Sequence, residues 1–151
     1  MQKITPFLWF DDNAEEAVAF YRTLFKDSCV DSVMPGSGGK AMGLSFTLEG
    51  QSFMALNGGP VYQLTPAFSM YVNCETQEEV DRYWSALGEG GKEQRCGWLV
   101  DRFGLSWQII PKSLSAMLQD SDCVRAARVM QAMMTMGRID IAALQAAFDG
   151  A

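Results

Sequence analysis

The sequence predicts an α+β protein made of two βαβββ modules, at about residues 2–58 and 66–111, followed by a helical C-terminal tail. Three observations predict it. One pattern occurs twice at a constant offset: Ala14-Glu15-Glu16, Phe20-Tyr21 and Leu24 return as Gln77-Glu78-Glu79, Tyr83-Trp84 and Leu87. Each copy follows one short apolar run and precedes three more, bounded by turn residues. Beyond Ser113 the alternation gives way to helical spacing.

In the first module Ile4–Phe10 reads as a strand. Asn13 or Asp12 can cap the helix that follows, whose Ala17, Phe20, Tyr21 and Leu24 share one face. Cys29–Met34, Met42–Leu48 and Ser52–Asn57 are the remaining strands, the last two joined at Glu49-Gly50. Asn57-Gly58-Gly59-Pro60 opens the connection to the second module.

There, Ala67–Asn73 is the first strand. Thr76 with Glu79 forms a capping box, Val80, Tyr83, Trp84 and Leu87 make the buried face, and Gly88, Gly90 and Gly91 end the helix. Glu93–Cys96, Gly97–Val100 and Leu105–Ile110 complete the module, with Phe103-Gly104 as a turn. Gly50-Gln51-Ser52-Phe53 parallels Gly104-Leu105-Ser106-Trp107, which extends the repeat to the last strands. A small sheet with one helix leaves a face uncovered, so the modules are expected to pack together, within one chain or between two, as the domain 1–111.

The tail, 112–151, is expected to pack on that domain or on a dimer mate. Ser113 can cap Leu114–Gln119, Ser121 or Asp122 a helix ending before Gly137, and Asp140 the helix Ile141–Phe148. In the middle helix Arg125, Arg128, Gln131 and Thr135 form a polar stripe, with Val124, Ala127, Met130, Met133 and Met134 as the packing side.

Composition excludes several chemistries. The 151 residues contain no histidine, which removes imidazole acid–base catalysis and histidine-ligated metals. The net charge is −6, with 18 acidic against 12 basic residues and no basic run, so neither nucleic acid nor an anionic membrane is an expected partner. No apolar stretch is long enough to span a bilayer and no signal peptide is visible, which predicts a cytoplasmic protein. Cys29, Cys74, Cys96 and Cys123 lack the close spacing of zinc or redox motifs and read as reduced thiols.

The stretches Ile4–Phe25, Gln77-Glu78-Glu79-Val80-Asp81-Arg82-Tyr83-Trp84 and Cys96-Gly97-Trp98-Leu99-Val100-Asp101-Arg102-Phe103-Gly104-Leu105-Ser106-Trp107-Gln108 carry a resemblance. So do Ala127–Met136 and Ile139–Leu144 in the tail. The chain resembles the vicinal-oxygen-chelate (glyoxalase/bleomycin-resistance/dioxygenase) superfamily, and within it the PhnB-like group often labelled 3-demethylubiquinone-9 3-methyltransferase. The resemblance implies paired βαβββ modules in a cupped mixed sheet, a homodimer, and a site in the hollow. In metal-dependent members, four ligands from the first and last strand of each module hold a divalent ion. Here those places fall at Thr5 or Pro6, Met54 or Ala55, Ala67 or Phe68, and Gln108. Only Gln108 offers a good oxygen, so no metal and no cofactor are expected. The methyltransferase label finds no support, because Ser37-Gly38-Gly39 and Gly88–Gly91 are not a glycine-rich turn leading from a parallel strand into a helix.

Side-chain alternation along strands assigns the candidate pocket. Gln108 facing the hollow brings Ser106 with it; Thr5 brings Phe7 and Trp9; Ala67 brings Ser69 and Tyr71. Trp98 and Cys96 lie near the expected rim, and Asp101 with Arg102 reads as a turn pair. Aromatic walls with a few polar tips suit a planar small molecule. The expected function is metal-free small-molecule binding. The alternative is a lyase, isomerase or dioxygenase reaction of the kind the resemblance implies.

Overall fold

The computed structural model describes residues 2–151, in two compact units that meet between Thr65 and Pro66. Each is a four-stranded mixed sheet with one helix against it, and the second also carries the tail.

The first unit runs β1 (Phe7–Phe10), α1 (Ala14–Leu24), β2 (Cys29–Pro35), β3 (Ala41–Leu48) and β4 (Gln51–Asn57), with strand order β1-β4-β3-β2. β1 pairs with β4 in parallel and the other pairs are antiparallel. Leu8, Phe10, Leu44, Phe46, Phe53 and Ala55 are buried on the face toward α1, which contributes Ala14, Ala17, Val18 and Tyr21. The cross-strand pair Phe46 and Phe53 stacks at 5.3 Å. Glu49 and Gly50 both have positive φ, as a two-residue hairpin turn of the twist-matched type requires.

Two expectations change here. The first strand begins at Phe7 rather than Ile4, which is 86% exposed, although the Pro6 carbonyl still accepts the Met54 N–H at 2.9 Å. The cap of α1 also comes from elsewhere. Neither Asn13 nor Asp12 caps through its side chain. Instead Asn57, at the end of β4, accepts the Ala14 N–H at 2.9 Å and donates to the Ala41 carbonyl at 2.9 Å. One amide ties the helix start to two strands, and a local cap would have left that tie unmade.

The second unit runs β5 (Ser69–Cys74), α2 (Gln77–Gly88), β6 (Lys92–Glu93), β7 (Trp98–Val100), β8 (Ser106–Pro111), α3 (Lys112–Leu118), α4 (Cys123–Met134) and α5 (Ile141–Asp149). Its strand order, β5-β8-β7-β6, repeats that of the first unit. Leu99, Trp107 and Ile109 pack toward Val80, Tyr83, Trp84 and Leu87 of α2. Thr76 caps α2 through Glu79 N–H at 3.2 Å, while Glu79 reaches back to the N–H of Glu75 rather than of Thr76.

The predicted strand Glu93–Cys96 shortens to Lys92–Glu93. Cys96 and Gly97 turn into the left-handed region, with φ of 61° and 82°. Their N–H groups donate to Met136 and Gly137 of the tail at 2.7 and 2.8 Å instead of to a strand. A Cβ on Gly97 would stand 2.7 Å from Ile110 Cδ1, so only glycine fits between this turn and the tail.

The tail is integral to the second unit. Ile110, Leu114, Met117, Val129, Ile139 and Leu144 form one buried cluster. Gln77 clamps the strap before α5, donating to the Ile139 carbonyl at 2.9 Å and accepting from the Ile141 N–H at 2.8 Å. Of the two residues expected for α4, Asp122 is the cap, and Asp140 caps α5 as expected. Ser113 caps nothing: α3 starts at Lys112, straight after the strand, and the Ser113 hydroxyl is buried without a partner among the described residues.

The face of α4 also differs from expectation. Val129 is its fully buried residue, with Met133 beside the cluster, while Val124, Met130 and Met134 are exposed. Arg128, placed on the polar stripe by its type, turns inward and donates to the Ala147 and Phe148 carbonyls at 2.7 and 2.8 Å. It thereby satisfies the carbonyl end of α5, where a cation is favoured. Among the described residues no helix is long and apolar enough to cross a membrane.

Candidate functional site

Each helix covers one face of its sheet, so the candidate site is built on the opposite faces. In the second unit the register sets Tyr71, Gln108 and Trp98 in one row across β5, β8 and β7. The adjacent row is Ser69, Ser106 and Val100. Gln108 Nε2 donates to Ser69 Oγ at 2.9 Å, and its amide oxygen accepts nothing from the described residues. Tyr71 is 47% exposed, and its hydroxyl lies 3.5 Å from Ser115 Oγ of α3. Ser106 is fully buried with its hydroxyl unpartnered among the described residues.

Five of the candidate residues therefore share one face: Gln108, Ser106, Ser69, Tyr71 and Trp98. Ala67, the expected start of the strand, precedes β5, while Tyr71 pairs with Gln108 and Ser69 with Ser106. Cys96 is not on the sheet at all, because the left-handed turn ties its backbone to the tail.

In the first unit the corresponding face carries Phe7 beside Met54 and Trp9 beside Leu56. Phe7 is 55% exposed. Trp9 is half-buried: its indole N–H donates to the Gly59 carbonyl at 2.9 Å and its ring meets Tyr62 edge-on at 5.0 Å. Thr5 lies before β1, half-buried. Gly58 passes so close that a Cβ there would sit 2.3 Å from the Trp9 ring. Gly58→Ala is accordingly expected to cost about 1–3 kcal/mol by overpacking, with a shifted tryptophan emission. An unchanged urea midpoint and spectrum would show that the ring yields freely.

Phe7 pairs with Met54 across β1 and β4 as Tyr71 pairs with Gln108 across β5 and β8. These four positions offer a phenyl ring, a thioether, a phenol and an amide. A hard divalent ion needs three or more good N, O or S donors, and this set does not fit one. Among the described residues no group of three or more His, Cys, Asp or Glu could hold a metal elsewhere.

Asp101 has a role that its turn position only half announces. It is 3% exposed; Oδ1 accepts from Phe103 N–H at 2.9 Å and Leu105 N–H at 3.0 Å, and Oδ2 from the Trp107 indole at 2.8 Å. The carboxylate staples the β7–β8 turn to the core. The Asp-x-x-Gly spacing was a visible signal for the turn, whereas the bond to Trp107 depends on the tertiary packing. Arg102 lies over the Phe103 ring at 4.6 Å.

A polar depression of about 390 Å³ is lined by Asp12, Asn13, Glu15, Glu16 and Lys40. Lys40 pairs with Asp12 at 3.1 Å and Glu15 accepts the Ala41 N–H at 2.9 Å, so the lining keeps more carboxylates than cations. No residue of the candidate face belongs to it.

All four cysteines are free. Burial pushes the Cys74 thiol up to about 11. Cys29 is also raised, chiefly because its thiol donates to Asp31 and would lose that bond on ionising. At pH 8 about one Cys74 in a thousand is thiolate. Timed iodoacetamide labelling read by peptide mass spectrometry should mark exposed Cys123 ahead of Cys29, and Cys74 last. Equal rates for Cys74 and Cys123 would contradict the buried, protonated thiol.

The chain matches the family model described as 3-demethylubiquinone-9 3-methyltransferase over residues 2–110. The tail stretches that share the resemblance lie outside this span. No curated protein matches the chain. Among solved structures it is similar to the PhnB protein of Bacillus cereus, with 36% identity over 73% of this chain and 99% of that one, at a TM-score of 0.68. It is also similar to protein PA1353 of Pseudomonas aeruginosa, at 24% identity over 74% and 98% of the two chains and a TM-score of 0.60. The fosfomycin resistance protein FosX of Listeria monocytogenes, solved with Mn(II) and sulfate, aligns at 14% identity over 71% and 89%, with a TM-score of 0.52. That last likeness concerns the fold alone.

Proposed function

The chain belongs to the 3-demethylubiquinone-9 3-methyltransferase family as a PhnB-like protein of the vicinal-oxygen-chelate fold, and from that premise we propose that it binds an organic small molecule without a metal ion, on the face of its second sheet that α2 leaves uncovered. The observation that carries the reading is Gln108. Its side chain is held by Ser69, its amide oxygen is uncommitted, and Tyr71 and Trp98 flank it on neighbouring strands. An amide fixed by one bond and open at the other end, between two aromatic side chains, is a recognition device.

The family's name does not carry its activity to this chain. A Rossmann-type methyltransferase places its cofactor at a glycine-rich turn between a parallel strand and a helix. Here α1 and α2 start after Asn13 and Thr76 with no glycine in either turn, α3 follows β8 directly with none, and among the described residues each sheet has one parallel strand pair. Mn(II) in FosX is likewise no guide, because a likeness at 14% identity concerns the fold alone. We further propose a homodimer, since both sheets present apolar or aromatic side chains on their uncovered faces.

Native mass spectrometry of untagged protein purified without chelators tests both proposals. A dimer at apoprotein mass, or one with a bound organic adduct, is expected. A stoichiometric divalent ion would overturn the metal-free reading and move an enzymatic role to first place. A monomer at all concentrations would overturn the dimer.

A further inference from the structure

We infer that the ligand is uncharged where it meets the second sheet, and that it presents a carboxamide or lactam edge to Gln108 and Ser69. The inference rests on the proposed binding role and specifies the chemical class. Its basis is the row-by-row content of one sheet face.

The register places Ser69, Tyr71, Ser106, Gln108, Trp98 and Val100 at the centre of that face, and none is charged. The nearest charge in register is Lys92, opposite Val100 on the edge strand β6. Lys92 is exposed, and two strand spacings, about 10 Å, separate its backbone from Ser106. A carboxylate or phosphate seated on the central rows would give up its hydration and gain no cation there. The chain's net charge of −6 adds to that cost. A cation would find aromatic rings but no carboxylate in the same rows.

The hydrogen-bonding groups are complementary to a neutral amide. Because Ser69 Oγ accepts from Gln108 Nε2, the serine proton is free to donate outward. The Gln108 oxygen beside it accepts. A donor and an acceptor side by side satisfy both the C=O and the N–H of a primary amide or lactam, whereas a carboxylate leaves the Gln108 oxygen unpaired and an amidinium leaves the serine proton unpaired. The Ser106 hydroxyl, next in register to Ser69 and unpartnered among the described residues, is fully buried and lies beneath that pair rather than on the contact surface.

Three isosteric probes separate the possibilities: benzamide, benzoate and benzamidinium. The readout is the chemical shift of the Gln108 side-chain amide and the Trp98 indole N–H in nitrogen-edited spectra of the full chain. Gln108→Leu assigns the first signal and Trp98→Phe the second. Benzamide is expected to shift both saturably, at least about tenfold more tightly than either charged probe, and to lose that advantage in Gln108→Leu. Equal or tighter binding of benzoate or benzamidinium at these signals would overturn the inference while leaving the binding role intact. Silence of both signals to all three probes at millimolar concentration would overturn the binding role on this face, and the inference with it.

Discussion

Asp101→Ala will lower the protein's stability by about 4 kcal/mol, read as a fall in the urea midpoint followed by circular dichroism. The carboxylate accepts from two turn amides and from the Trp107 indole, and both Leu105 and Trp107 are essentially fully buried. Alanine leaves these donors without partners where water cannot replace them, at about 1–3 kcal/mol for each buried group. Asp101→Asn keeps one acceptor oxygen but turns an NH₂ toward another donor, so about half that loss is expected. A cost under about 1 kcal/mol for the alanine variant would mean that water or a shifted turn satisfies the indole. Such a loss is a large share of the 5–15 kcal/mol that holds a domain together.

Leu144→Ala will cost about 3 kcal/mol, whereas Met134→Ala will change stability by less than about 0.5 kcal/mol. Leu144 is completely buried in the cluster that joins the tail to Ile110, while Met134 is 57% exposed. The contrast tests the assignment of the α4 face directly, because hydrophobic type alone would rank methionine among the packing residues. Comparable losses for both variants would show that the Met130–Met134 side is covered in solution. Repeating the Met134→Ala measurement over a range of protein concentrations would then identify a second copy as the cover, through a concentration-dependent midpoint.

How far the sequence foretold this molecule differs between its levels. The two βαβββ modules follow from a repeat in which Tyr21 and Leu24 of one helix have counterparts in Trp84 and Leu87 of the other, and the strands follow from alternation. Parity along β8 put Gln108 and Ser106 on one face, since a strand reverses its side chains at every residue. What parity could not supply was register between strands. Alternation assigns Ser69 and Tyr71 to that face, but the pairing of Tyr71 with Gln108 and of Ser69 with Ser106 belongs to the folded sheet. In the same way alternation places Trp9 on the face of Phe7, but not the contacts of its ring with Gly58, Gly59 and Tyr62.

The helical tail shows the boundary most clearly. Its three helices and two of its caps, Asp122 and Asp140, were written in local signals, because a cap is a contact between residues two or three apart. The inward turn of Arg128, the clamp of Gln77 on Ile139 and Ile141, and the capping of α1 by Asn57 are contacts between residues far apart in the chain. Each involves a side chain equally at home in water, so its type carries no mark of the partner it will meet. Periodicity and capping chemistry thus specified the secondary elements and their order, which are short-range properties of the chain. The choice of which polar groups become structural, which face of α4 is buried and which residues flank Gln108 came with the fold, because each depends on the register and packing of segments that meet only once it has formed.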